Sequence, residues 1–134
     1  MYERDYAYTK RVKDTSVADV VARVRQALGA EGFGVLTEID VQATLKKKLG
    51  VERKPYLILG ACNPRLAHKA LEVEPPIGVF LPCNVDVFEG EDGAVYVQTP
   101  KPTMMFGLVG NSKVLPIAEE VDAKLRRVLD ALAG

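Results

Sequence analysis

Two cysteines, each followed by asparagine, are the residues of this 134-residue chain whose type and placement could support chemistry. Cys62 ends the apolar run Tyr56-Leu57-Ile58-Leu59-Gly60-Ala61 and directly precedes Asn63-Pro64, an N-cap candidate followed by proline at the first helical position. A thiol there meets the unpaired N–H groups and positive end of a helix, which favour a thiolate and would also suit a small anion. The commoner role of a free cysteine beside so apolar a run is that of a small buried hydrophobe. Cys83 shares the parity of Leu81, Val85 and Val87 and reads first as part of a core face. If its strand lies beside the one ending at Cys62, the two sulfurs could form a redox pair or, joined by His68, hold a thiophilic metal. His68, the single histidine, lies beside the Leu66-Ala67-Ala70-Leu71 stripe and not on it, so a solvated helical histidine is its simpler reading.

Other arrangements carry less. Gly32-Phe33-Gly34 lacks the third glycine of a dinucleotide loop, and neither a GxxxxGK[ST] run nor a GxSxG elbow occurs. Glu38 and Asp40 share one parity and could pair two carboxylates, although solvated strand residues, with Asp40 as a helix cap, explain them more simply.

The elements that must position these residues follow from periodicity. Tyr2, Tyr6 and Tyr8 alternate with Glu3, Asp5 and Thr9, the pattern of a half-buried strand over residues 2–12. Asp14-Thr15-Ser16 supplies N-cap candidates for a helix whose Val17, Val20, Val21, Val24 and Leu28 form one stripe. Phe33, Val35, Thr37 and Ile39 make a second alternating run, and Asp40 caps a short helix closed by Gly50. Lys46, Lys47 and Lys48 in its last turn oppose the helix dipole, a simpler reading than a basic patch. Residues 56–61 are apolar on both parities, as in an interior strand. A helix with Leu66, Ala67, Ala70 and Leu71 inward then stops at Pro75-Pro76. Ile77, Val79, Leu81, Cys83, Val85 and Val87 share one parity of the next strand, where Pro82 suggests a bulge or an edge. A turn over residues 89–93 leads to a hairpin partner over residues 94–99.

Residues 100–110 are irregular, with two prolines, yet Met104, Met105, Phe106, Leu108 and Val109 are too apolar for a free loop. The segment reads as a lid, a dimer contact or a core-filling crossover. Asn111 and Ser112 open a last helix striped by Ile117, Val121, Leu125, Val128, Leu129 and Leu132. The expectation is a single α+β domain over residues 1–134, a mostly antiparallel sheet with two long helices on one face and two short inserted helices.

Eighteen basic against eighteen acidic residues leave no net field toward phosphate backbones, so no nucleic-acid partner is expected. No run approaches the roughly 20 apolar residues of a membrane span. The opening Met1-Tyr2-Glu3-Arg4-Asp5 lacks the order of a signal peptide, so the expected setting is cytoplasmic, with both cysteines as thiols.

Three segments, Gly32-Phe33-Gly34-Val35-Leu36-Thr37-Glu38-Ile39-Asp40, Leu59-Gly60-Ala61-Cys62-Asn63-Pro64 and Leu81-Pro82-Cys83-Asn84-Val85, closely resemble the domain-of-unknown-function family 302. The resemblance covers nearly the whole chain. It implies a small bacterial or archaeal protein of TATA-binding-protein-like fold, ordered strand, helix, four strands, helix with short helices added, and it implies no activity, cofactor or catalytic residue. The functional expectation is a non-enzymatic small-ligand-binding or assembly domain acting as a homodimer. Cys62, Asn63, Cys83, Met104, Met105 and Phe106 are its candidate contacts to a small apolar or anionic ligand. The alternative is a thiol redox or metal protein using Cys62 with Cys83 or His68.

Overall fold

The structure, a computed structural model, describes residues 1–132. Strand β1 (Ala7–Val12) leads to helix α1 (Val17–Ala30), strand β2 (Gly34–Asp40), helix α2 (Val41–Leu49) and strand β3 (Tyr56–Cys62). Helix α3 (Pro64–Val73) and a 3-10 helix (Pro75–Phe80) precede the hairpin of β4 (Cys83–Glu89) and β5 (Val95–Pro100), followed by α4 (Pro102–Gly107) and α5 (Leu115–Asp130). The sheet order is β1-β5-β4-β3-β2, with every pairing antiparallel. This is an α+β fold with β4 at its centre.

Local chemistry accounts for the helix ends. The Ser16 hydroxyl accepts from the Asp19 N–H at 3.2 Å and the Asp40 carboxylate from the Ala43 N–H at 2.9 Å. Gly50 closes α2 at φ 67°, where a glycine has no steric penalty.

One sheet face, carrying Leu59, Ala61, Val85, Val87, Val95 and Val97, is covered by α1 and α5. All five stripe residues of α1 are buried, as are Val121, Leu125, Val128 and Leu129 of α5. Each such Val or Leu stabilises the fold by about 1.5–3 kcal/mol relative to exposure. The Tyr8 hydroxyl donates to both oxygens of the buried Asp122 carboxylate at 3.0 and 3.1 Å, tying β1 to α5.

The opposite face has an aromatic half and an open half. Tyr56 and Phe88 stack at 4.9 Å, and Tyr2 meets Phe88 and Tyr96 edge-on at 5.1 and 4.6 Å. Gly90 permits this approach, since a Cβ there would lie 2.5 Å from Tyr96 Cε1.

Several expectations need correction. The first strand begins only at Ala7, because Tyr2 lies over the aromatic cluster instead of pairing. A β-bulge between Val35 and Thr37 switches parity, so Val35 packs on the core while Ile39 turns outward. Glu38 then reaches Arg25 on α1 at 3.1 Å and Asp40 caps α2, so the two carboxylates form no dyad. On α3, Leu66 and Ala70 are buried and Leu71 points out, one residue being a turn of about 100°. The strand expected from Ile77 starts at Cys83, because Pro75 and Pro76 begin a 3-10 helix. Pro82, joined to Leu81 by a cis bond, lies before β4, which is central and not an edge. Residues 100–110 contain a helix, α4, with Pro102 near its start where the missing N–H costs nothing. The last helix begins at Leu115, since the Asn111 amide donates to Val73 O at 3.0 Å and Glu74 Oε1 at 2.9 Å and so joins the loop to α3.

Candidate functional site

The cysteines occupy the junction expected of them, but its geometry is that of a packed joint. Asn63 Oδ1 accepts from the Leu66 N–H at 3.3 Å and Asn63 Nδ2 donates to Glu31 O at 3.3 Å. The side chain therefore caps α3 and holds the loop after α1, where Gly32 adopts φ 83° with its would-be Cβ 3.1 Å from Asn63 Nδ2. The helix start is closed by its own cap, which weakens the case for an anion there.

Cys83 pairs with Ala61 across the ladder and is 5% exposed on the core face. Cys62, the next residue along β3, is half-buried at the strand's end. The two thiols are free. Burial pushes the Cys83 thiol up to about 11, with a smaller contribution from Cys62, so Cys83 is protonated at neutral pH and is no ready nucleophile.

Both residues border a cavity of about 30 Å³ between Phe33, Leu66, Phe106 and Ile117. That is room for a water molecule or two and not for an organic ligand. His68 is exposed and paired with Glu72 at 2.5 Å, one turn along α3. The set of Cys62, Cys83 and His68 is not assembled, and among the described residues no three His, Cys, Asp or Glu side chains form a metal-binding group.

Of the remaining expected contacts, Phe106 is buried in a second core with Ala70, Ile77, Val114 and Ala118, which makes α4 chiefly a core-filling crossover. Met104 is exposed. Met105 turns toward the open half of the sheet.

That open half holds a groove to which no sequence motif points. A groove of about 420 Å³ runs between the sheet and the segment around Phe80, Leu81 and Pro82, with Met105 at one end and Tyr6 on the rim. The size is that of ordinary small-molecule pockets, roughly 300–1,000 Å³. Gly60 lets the wall descend onto the sheet, since a Cβ there would stand 2.9 Å from Pro82 Cγ. Asp86, at the middle of the central strand, pairs with Ile58 of β3 and Gln98 of β5 and lines this groove.

The polar groups are unevenly satisfied. The Tyr56 hydroxyl donates to Asp86 Oδ2 at 3.1 Å. Asp86 Oδ1 is buried and accepts from nothing; Thr99 Oγ1 is also buried without a partner, but on the helix-covered face of β5 with Val95 and Val97. Gln98 Nε2 donates to Tyr2 O at 2.7 Å and Thr9 Oγ1 at 3.0 Å. Burial raises the Asp86 pKa above the usual carboxylate value, opposed by the Tyr56 hydrogen bond. Tyr56 is pushed up to about 12 by burial first and by the Asp86 charge second. Unpartnered buried polar atoms are uncommon and mark groups awaiting a donor, a strain or a water. The available signal was the alternation Asn84-Val85-Asp86-Val87-Phe88, which sets a carboxylate on the aromatic-bearing side of an interior strand.

The family profile described as domain of unknown function DUF302 matches residues 8–132. The crystal structure of an uncharacterized conserved DUF302 protein from Bacillus stearothermophilus superposes with a TM-score of 0.89 at 32% identity, covering 97% of this chain and 100% of that one. No curated protein matches the chain. The match over residues 8–132 and the shared fold make this chain a member of the DUF302 family.

Proposed function

We propose that the chain is a non-enzymatic, cytoplasmic domain that binds a small ligand in the groove floored by Asp86 and Gln98. One observation carries the reading: a buried carboxylate oxygen with no partner, in a groove large enough for a small organic molecule. Of the contacts expected from the sequence, Cys83 and Met105 border this groove. Cys62 and Asn63 serve the joint between β3 and α3. Two thiols without a disulfide suit a reducing compartment, and no helix of the described residues is long and apolar enough to cross a membrane.

A fragment screen followed by amide chemical shifts on the full chain tests this. The expected outcome is that hits perturb Asn84, Asp86, Gln98 and Thr99 together. Perturbations scattered over the surface, or none, would defeat it.

Assembly as a homodimer is the second part of the reading, supported by the apolar side chains that α4 and its flanks leave in solvent: Met104, Leu115 and Leu108, the last 80% exposed. Light scattering should give twice the chain mass of 14.6 kDa, reduced to one chain by Leu108→Lys. A monomer at every concentration removes the dimer and leaves the groove reading intact.

A further inference from the structure

Resting on the groove reading above, we propose that the ligand is an amphiphilic primary amine, bound as its ammonium with the charged head donating to Asp86 Oδ1 and the apolar body lying along Phe80, Leu81 and Met105. Three features of the groove lead there.

The first is the sign of its charge. Among the residues that line it, Asp86 is the one with a formal charge at neutral pH, and no lysine, arginine or histidine stands with it. An anionic ligand would meet a bare carboxylate and no counter-charge. A cation meets its complement in a partly desolvated setting, where the attraction is stronger than in water.

The second is the direction of the missing hydrogen bond. An ionised carboxylate only accepts. Its Oδ2 already accepts from the Tyr56 hydroxyl, so the unpartnered Oδ1 calls for a donor. Gln98 cannot supply one, because both hydrogens of its amide nitrogen are engaged by Tyr2 O and Thr9 Oγ1, which leaves only its carbonyl oxygen, another acceptor. A primary ammonium, with three donors and no acceptor, matches the Asp86 carboxylate and the Gln98 carbonyl oxygen beside it. A charge-assisted bond of this type is about twice as strong as a neutral one.

The third is the wall. Away from the floor the groove is bordered by Phe80, Leu81, Pro82, Pro100 and Met105, which offer apolar surface and no charge. A small hydrophilic cation would leave that surface unused, and Met105 adapts to an irregular apolar shape.

The test compares three probes of one shape on the full-length protein: 2-phenylethylammonium, the neutral 2-phenylethanol and the anionic phenylacetate, each followed through the amide shifts of Asp86, Gln98 and Thr99. The amine is expected to bind about tenfold or more tightly than the alcohol, and the acid more weakly than both. Asp86→Asn, a substitution of the same shape, should remove the amine's advantage over the alcohol. Equal or tighter binding of the alcohol or the acid at the groove would overturn the amine assignment while leaving the groove as a binding site. Silence from all three probes would overturn both. Asp86→Asn that keeps the amine's advantage would also overturn the assignment, since the charge would then not be its source.

Discussion

Tyr56 reaches across from β3 to donate its hydroxyl hydrogen to Asp86 Oδ2 on β4 at 3.1 Å, while Oδ1 of the same carboxylate lies buried with nothing to accept from. The pair fixes the carboxylate's orientation and leaves one oxygen without a partner. Its two halves respond differently to substitution.

Tyr56→Phe keeps the ring that stacks on Phe88 and removes only the donor. Both oxygens of a largely buried carboxylate then lack a protein partner, which should cost about 1–3 kcal/mol. Urea unfolding near neutral pH measures this. The loss should shrink at acid pH, where Asp86 is protonated and its desolvation is no longer costly.

Asp86→Asn should do the reverse. Burial holds the folded-state pKa of Asp86 above its unfolded value. The stability linked to that proton is complete below the unfolded pKa and is lost as pH rises through the folded one. Asparagine cannot ionise, so the variant should gain about 0.5–2 kcal/mol over the natural protein at neutral pH and match it in acid. Thermal or urea unfolding across pH checks the sign. A gain in stability that accompanies a loss of ligand binding is the trade expected of a group kept for function.

The thiols should separate cleanly. Cys83 is buried, with its pKa pushed up to about 11, whereas Cys62 is half-buried. Native protein treated with a disulfide reagent at neutral pH should lose at most one thiol on the timescale of a free cysteine, and unfolded protein should lose both. Rapid loss of both from the native state would return the redox reading to consideration.

Gly60→Ala should damage the groove wall. The added Cβ would meet Pro82 Cγ at 2.9 Å and crowd Thr37 Oγ1 more closely still. Overpacking of this kind costs about 1–3 kcal/mol. The melting temperature should fall, and the shifts of Leu81 and Asn84 should move with it.

Much of the scaffold could be read before folding. The stripe Val17, Val20, Val21, Val24 and Leu28, the caps at Ser16, Asp40 and Asn63, and the interior character of β3 follow from local spacing and appear as expected. The bulge at Leu36 was invisible to alternation, and it alone turns Ile39 from core to surface. α4 was hidden by Pro100 and Pro102, although Pro102 at a helix start is compatible with one. The groove was not legible for a different reason. Cys62 and Cys83 stand out by type, whereas Asp86 stands out only by what surrounds it: a tyrosine from β3, a glutamine from β5 and a wall set by Gly60, none of them near it in sequence.

The pH dependence of amine binding tests the central claim most directly. Asp86 must be ionised to receive an ammonium. The Tyr56 hydroxyl that donates to it, raised to about 12, stays neutral across the acid-to-neutral range, and Arg53 lies 5.1 Å over the Tyr56 ring. Tyr6 is a phenol at the rim, and β5 presents the uncharged Gln98. Affinity for 2-phenylethylammonium should therefore hold steady above the raised Asp86 pKa and fall by up to about tenfold per pH unit below it, while Asp86→Asn shows a flat profile. Affinity that is constant through the acid range in the natural protein, or an unchanged slope in Asp86→Asn, would contradict the assignment of Asp86 as the group that receives the ligand.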